Sequence, residues 1–435
     1  IQTSGNCIRN ITSDHLAGIT PDELEDPRPW CEIIRQWATF HPEFTYLPRK
    51  FKIAVTGAPQ DRAASLVHDV GVHIVRGPNG ESGFEILAGG GLGRTPIIGQ
   101  VVREFLPREH LLSYLTAILR VYNLEGRRDN LHKARIKILV RSLGIEEFRR
   151  RVEAEWQLLR DADLRVDNAE IVRMRRYFSP PDYLELPDIA PDSGREPAFQ
   201  AWYRYNTTAH KVAGYRAVYI SLKKPDAPPG DVTDAQMDLI ADLADRYSFG
   251  EVRVCHSQNL LLGDVEQNRA YELWQQLGLA GLATPNIGTL TDIICCPGLD
   301  FCSLANARSI DVAKLINERF DDYDYIYDLG EIDIKMSGCM NGCGHHHVGN
   351  IGVLGVDKGG EEWYQITIGG AAGADASLGS VIGPSVPKAQ VAQTIERLLE
   401  VYVEQRTIEE RFLDTVRRLG LRPFKERAYA APLAA

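Results

Sequence analysis

Phe84-Glu-Ile-Leu-Ala-Gly-Gly-Gly-Leu-Gly93 and Tyr364-Gln-Ile-Thr-Ile-Gly-Gly-Ala-Ala-Gly373 are two versions of one segment. Gly89, Gly90 and Gly93 fall on Gly369, Gly370 and Gly373 at an offset of 280 residues. The same offset carries Gly99 to Gly379, Pro107 to Pro387 and Tyr122 to Tyr402. Leu111, Leu115, Ile118 and Leu119 fall on Val391, Ile395, Leu398 and Leu399, at the spacing of the buried stripe of an amphipathic helix. After a four-residue length change, Leu143-Gly144 meets Leu419-Gly420 and Phe148 meets Phe424. A register held over about sixty residues marks a duplication, so two related lobes are expected.

The stretch between the copies differs in kind. Residues 178–198 hold Pro180, Pro181, Pro187, Pro191 and Pro197 and read as an extended linker. Gly214 to Leu222 reads as a strand and Pro225 to Gly230 as a turn. Thr233-Asp-Ala-Gln236 is a capping box, opening a helix with Met237, Ile240, Ala244 and Tyr247 on one face. A second strand is expected over 251–262 and a second helix over 265–277, ending at Gly278. This β-α-β-α order is half of a ferredoxin-like sandwich. Such a half needs another half to complete its sheet, and the 435 residues offer none. The chain opens on Ile1 rather than Met, so a preceding segment is expected.

Composition and charge exclude several classes. With 44% hydrophobic and 25% charged residues the chain has ordinary globular usage, not that of a disordered or fibrous protein. No apolar run is long enough for a transmembrane helix, and Ile1 to Cys7 lacks the charged and apolar regions of a signal peptide. A formal charge of −10 without a Lys/Arg tail argues against a nucleic-acid partner. It also means that an anionic substrate must meet a local concentration of positive charge. Eight cysteines are too sparse here for a secreted disulfide framework. Metal or redox chemistry in the cytoplasm fits them better.

Five of the eight, Cys295, Cys296, Cys302, Cys339 and Cys343, fall close together in sequence. Cys296-Pro-Gly-Leu-Asp-Phe-Cys302 and Cys339-Met-Asn-Gly-Cys343 form a C-x5-C and a C-x3-C pair. Four thiolates are what a 4Fe–4S cluster requires, and Gly298, Gly338, Gly342 and Gly344 let the backbone wrap closely. Zinc is the rival, but it usually takes pairs separated by two to four residues. Cys295 competes with Cys296 as a ligand; the spacing and the following Pro297 favour Cys296. His345-His346-His347 reads as packing rather than ligation, because three adjacent side chains cannot readily face one ion. Cys7, Cys31 and Cys255 read as small hydrophobes.

The second signal is cationic. Tyr46-Leu-Pro-Arg-Lys-Phe-Lys52 opens a strand in which Lys50 and Lys52 share a face, roughly 7 Å apart. Two ammonium groups so close repel unless an anion sits between them, although lysine is also ordinary on a solvated strand edge. Arg9 is a third candidate, and residues 120–151 carry ten Arg/Lys against four Asp/Glu. Gly89-Gly-Gly-Leu-Gly93 misses the spacing of a dinucleotide fingerprint, and no Walker A or nucleophile-elbow sequence occurs.

Taken together, five segments resemble the siroheme- and 4Fe–4S-containing sulfite and nitrite reductases, most of all the bacterial assimilatory hemoprotein type. They are Thr3-Ser-Gly-Asn-Cys-Ile-Arg-Asn10, Leu47-Pro-Arg-Lys-Phe-Lys52, Gly89-Gly-Gly-Leu-Gly-Arg-Thr-Pro96, Cys296 to Cys302 and Cys339 to Cys343. The resemblance implies an α+β, pseudo-twofold duplicated fold with a ferredoxin-like half domain between two α/β lobes. On that basis residues 1–165 form the first siroheme- and substrate-binding lobe, 166–205 a Pro-rich linker, 206–285 the half domain, and 286–435 the cluster-bearing lobe. It implies that Cys296, Cys302, Cys339 and Cys343 hold the cluster and that Cys343 also bridges it to the siroheme iron. Arg9, Lys50 and Lys52 match positions lining the siroheme distal face, where the anion binds. The family also uses arginines upstream of Ile1, so the chain is expected to be N-terminally truncated.

The implied reaction is the six-electron reduction of sulfite to sulfide, with nitrite to ammonia as the alternative on the same scaffold. Ferredoxin or a flavoprotein subunit would supply electrons, since this chain carries no flavin or NADPH fingerprint. One rival is a non-catalytic iron–sulfur electron carrier, which leaves the paired lysines unexplained. Another is a siroheme-fold enzyme of tetrapyrrole biosynthesis.

Overall fold

The computed structural model describes residues 5–189 and 194–430. Ile1, Thr3, Ser4 and Pro191, all used above, lie outside the described residues. The chain divides into two compact units, Ile1–Tyr183 with Ala372–Ala376, and Leu184–Ala371 with Ser377–Ala435. Among the described residues no helix is long and apolar enough to cross a membrane.

The first unit is built on a five-stranded sheet in sequence order: β1 (Ile8–Thr12), β2 (Phe51–Thr56), β3 (Val70–Arg76), β4 (Ser82–Ala88) and β5 (Gln100–Pro107). The first three strands run parallel and the last two antiparallel. Parallel strands must be covered on both faces, and β2 accordingly buries Phe51 and then Ile53, Ala54 and Val55 on both faces.

The second unit repeats that plan with β10 (Ile294–Cys295), β11 (Ile334–Ser337), β12 (Ile351–Lys358), β13 (Glu361–Ile368) and β14 (Ser380–Val381). The same succession of two parallel and two antiparallel pairings recurs, and β15 (Val386–Pro387) also pairs with β13. Ile53 opposite Val70 and Val70 opposite Ala88 become Ile334 opposite Ile351 and Ile351 opposite Ile368.

The duplication extends to single hydrogen bonds. The bridge between Gly91 and Ile97 recurs between Ala371 and Ser377. The Gly99 N–H donates to Leu66 O, and the Gly379 N–H to His347 O, each at 2.7 Å. Helices Leu111–Glu125 and Val391–Gln405 bury the predicted stripes. From them Tyr122 Oη donates to Ala134 O and Tyr402 Oη to Glu410 O, both at 2.9 Å, giving each buried phenol its partner. Gly144 and Gly420 then end a helix at φ +79° and +70°, where a side chain would be strained.

Between these sheets in the chain lies a four-stranded antiparallel sheet, ordered β6 (Thr207–Ala209), β7 (Tyr215–Ile220), β9 (Leu260–Glu266), β8 (Arg253–Val254). Since β9 is antiparallel to both neighbours, β7 and β8 run parallel with β9 between them, the split β-α-β of a ferredoxin-like half. The capping box forms, with the Gln236 N–H on Thr233 Oγ1 at 3.2 Å and the Thr233 N–H on Gln236 Oε1 at 3.0 Å.

Several local expectations need correction. Helix Asp234–Tyr247 buries Ile240, Leu243, Ala244 and Tyr247, but Met237 in its first turn stays exposed and outside the core. The strand expected over 251–262 is a hairpin: the Cys255 N–H bonds Asn259 O at 2.9 Å, and Gln258 turns the chain at φ +61°. Val265 stays in β9, opposite Arg216, so the second helix starts only at Ala270 and runs through Gly278 to Leu279. The stretch 178–198 is not extended throughout, because Pro197 opens helix Pro197–Asn206, whose end leads into β6.

Candidate functional site

Two loops of the second unit carry the four thiols. The first leaves β10 at Cys296, whose N–H bonds Met336 O at 3.1 Å, and turns so that the Cys302 N–H reaches Gly298 O at 2.9 Å. The second leaves β11, where Gly338 donates its N–H to Cys296 Sγ at 3.0 Å. The loops touch backbone to backbone: a Cβ on Gly338 would lie 2.6 Å from Ala307 O and 2.8 Å from Gly298 Cα. A Cβ on Gly298, itself at φ +59°, would lie 2.7 Å from Ala307 O. Glycine is needed at both crossings. Cys339 is buried, Cys296 and Cys302 are half-buried, and Cys343 is exposed.

Among the described residues no three His, Cys, Asp or Glu side chains converge closely enough to hold a metal ion. The donor set nevertheless fits an iron–sulfur cluster. Four thiols stand on two touching loops, and one of them already accepts a backbone N–H. Cys295 is buried, its Sγ bonded to Cys296 O at 3.2 Å, and burial pushes its thiol pKa up. Burial does the same to Cys31 and Cys255. His346 and His347 stack with ring centroids 3.8 Å apart, and burial pushes the His346 pKa down to about 3.

In the first unit, Lys50 and Lys52 flank fully buried Phe51 and are themselves half-buried. The Phe51 N–H bonds Cys7 O at 2.9 Å, tying this strand to the segment that carries Arg9. Burial lowers the Lys50 pKa, and the charges of Arg135, Lys52, Arg9 and Arg49 lower it further. Among the described residues neither lysine ammonium makes a hydrogen bond or ion pair. Among the described residues Arg9 bonds only the Gly5 carbonyl, through Nε at 2.8 Å. The three cations are therefore brought into one field, and among the described residues no carboxylate pairs with the Lys50 or Lys52 ammonium.

Sequence reading missed the residues that hold this field in place. Asp69, fully buried, accepts Arg135 Nε at 2.8 Å on one oxygen and the Lys52 N–H at 3.0 Å on the other. Lys137 Nζ donates to three carbonyls of the glycine-rich loop, Gly91 at 3.2 Å and Leu92 and Thr95 at 2.7 Å. Burial, with the Arg135 charge, pushes its pKa down to about 8. The basic run over 120–151 was the signal that contained both Arg135 and Lys137.

The chain is similar to known proteins over most of its length. Residues 4–158 and 288–432 match the family described as nitrite and sulphite reductase 4Fe-4S domain. Residues 214–280 match the nitrite/sulfite reductase ferredoxin-like half domain. Sulfite reductase (ferredoxin) 1 of Mycolicibacterium paratuberculosis is 27% identical over 423 residues, spanning 94% of this chain and 69% of that protein. The assimilatory ferredoxin-dependent nitrite reductase of Haloferax mediterranei is 28% identical over 427 residues, 96% of this chain and 69% of that one. The structure of Mycobacterium tuberculosis NirA protein aligns with a TM-score of 0.76 at 26% identity, covering 97% of this chain and 72% of that chain. Both repeat copies and the half domain between them fall within these matches, and the chain belongs to the siroheme and 4Fe–4S family of nitrite and sulphite reductases.

Proposed function

We propose that this chain carries out the six-electron reduction of sulfite to sulfide, using a 4Fe–4S cluster held by Cys296, Cys302, Cys339 and Cys343 beside a siroheme. The observation that carries the reading is the unpaired state of Lys50 and Lys52 within a cationic field. Half-buried ammonium groups that repel one another are costly unless an anion joins them, and sulfite, nitrite and siroheme carboxylates are all anions.

When bound, the siroheme and cluster supply single electrons and a metal site for the anion. The protein's own groups do the rest. Lys50, Lys52 and Arg9 bind and orient the oxyanion, neutralising charge as its bonds to oxygen break. The lysines can also pass protons to departing oxygens, and burial, by lowering the Lys50 pKa, makes it the better donor. Lys137 fixes the glycine-rich loop against the same field. Cys343, the exposed thiol of the four, would hold the cluster and, as the family resemblance implies, would also be a ligand of the siroheme iron.

Nitrite to ammonia is the second reading, favoured by the nitrite reductase of Haloferax mediterranei at essentially the identity of the sulfite reductases. A ferredoxin is the proposed electron donor, by analogy with the names of both relatives. An electron carrier without catalysis is weighed against by the lysines. The test is turnover with reduced methyl viologen on sulfite and on nitrite, with the visible spectrum recorded alongside. Chlorin-type bands and faster sulfite turnover are expected; a spectrum without them, and no turnover of either anion, would overturn the reading.

A further inference from the structure

β10, only two residues long, is the edge strand of its sheet and pairs with β11. An edge strand leaves polar backbone groups facing away from the sheet. At Cys295 both are taken by one side chain. The Cys295 N–H donates to Gln258 Oε1 at 2.8 Å, and Gln258 Nε2 donates to Cys295 O at 2.9 Å. A carboxamide here offers the donor–acceptor pair that a neighbouring strand would offer. The next residue is Cys296.

Gln258 comes from the β8–β9 hairpin of the half domain and is fastened on all sides. It holds φ +61°, a conformation that a non-glycine residue keeps only where its surroundings impose it. A Cβ on Gly230 would lie 3.1 Å from its Cβ, so the hairpin tip is closely backed. Next to it Asn259, fully buried, accepts the Leu222 N–H at 3.0 Å and donates to Asp292 Oδ1 at 2.9 Å. Lys223 Nζ donates to Ser257 O and Ile293 O, both at 2.7 Å, so it joins the hairpin to the residue before β10.

The first lobe makes an informative contrast. By the shared register, the residue equivalent to Cys295 is Ser13, just past β1. Among the described residues no side-chain amide meets its backbone, and its hydroxyl has no partner. The clamp accompanies the copy that carries the thiols.

We propose that Gln258 is a positioning residue for the cluster: its carboxamide fixes the backbone at Cys295 and thereby the approach of Cys296 Sγ. The ferredoxin-like half domain thus has a direct hold on cluster geometry. The inference rests on the reading of Cys296 as a cluster ligand.

Gln258→Asn and Gln258→Gly test it, because both residues tolerate the left-handed turn while losing the reach to Cys295. Gln236→Ala, which breaks the capping box of the same domain, serves as a control for simple destabilisation. In the cluster-loaded chain both Gln258 variants should shift the electron paramagnetic resonance g-values and midpoint potential of the reduced cluster. They should lower kcat about tenfold with little change in KM. In iron-free chain the Cys295 amide should exchange its hydrogen roughly tenfold faster. Gln236→Ala should lower the melting temperature and leave these signals alone. Unchanged g-values and kcat in both Gln258 variants would overturn the proposal. A parent chain with no cluster would remove the reading beneath it, while parental exchange at Cys295 in the variants would remove the clamp itself.

Discussion

Gly338 donates its backbone N–H to Cys296 Sγ at 3.0 Å, so the second cysteine loop already holds a thiol of the first. That bond needs the close crossing at Gly298, where a Cβ on Gly338 would approach within 2.8 Å of Cα. Gly338→Ala should therefore part the loops. An overpacked site of this kind costs about 1–3 kcal/mol. The expected outcome is a lower melting temperature and a substoichiometric iron content, measured on the purified chain; parental values for both would show that the loops do not need the crossing.

Lys50 and Lys52 should respond in opposite senses by stability and by turnover. Lys52→Met removes a charge that depresses the Lys50 pKa, so the anion-free chain should gain about 0.5–1 kcal/mol in denaturant unfolding. Sulfite turnover with reduced methyl viologen should fall roughly 10- to 150-fold, the loss of one charge-assisted hydrogen bond. A variant that keeps parental turnover would return the strand to an ordinary solvated edge.

Lys137 gives a pH dependence with a definite sign. Its pKa is lowered from the usual 10.5 to about 8 by burial, then by the Arg135 charge. Between these values the unfolded chain holds the proton and the folded chain does not. Stability owed to this group therefore rises with pH over that window and is lowest below pH 8. Lys137→Met, which cannot titrate, removes the slope. Unfolding in urea at pH 7.5, 9 and 10 should show the parent gaining on the variant as pH rises; a constant difference would contradict the assignment.

Much of this was legible in the sequence because duplication repeats a pattern that chance does not. Gly89, Gly99, Tyr122 and Gly144 each found their counterpart, and the structure gives each pair the same hydrogen bond or turn. Short elements were not legible. β6 has three residues and β8 two, too few for a period, and the hairpin at Gln258 carries no glycine to announce its left-handed turn. Asp69, Arg135 and Lys137 escaped because their roles are tertiary: a buried carboxylate and two of ten cations in a basic run look alike until the fold pairs them. The same limit hid Gln258, whose partner Cys295 lies in another sheet.

The repeat also predicts matched energetics. Tyr122→Phe and Tyr402→Phe each remove one hydroxyl shared between two carbonyls, Ala134 and Arg49 in one copy and Glu410 and Leu329 in the other. Each should cost about 1 kcal/mol, and similar amounts in the two lobes. Thermal unfolding of the two variants checks this, and a marked inequality would mean that the copies have diverged in packing.

Iron and acid-labile sulfide measured per chain decide whether Cys296, Cys302, Cys339 and Cys343 hold a 4Fe–4S cluster. The parent should carry about four sulfides and about four cluster irons beyond the siroheme iron. Cys302→Ser and Cys339→Ser should each lose the whole cluster and destabilise the second unit, since ligation contributes folding energy. Full sulfide and iron content in either variant would mean that the mutated cysteine is not a cluster ligand.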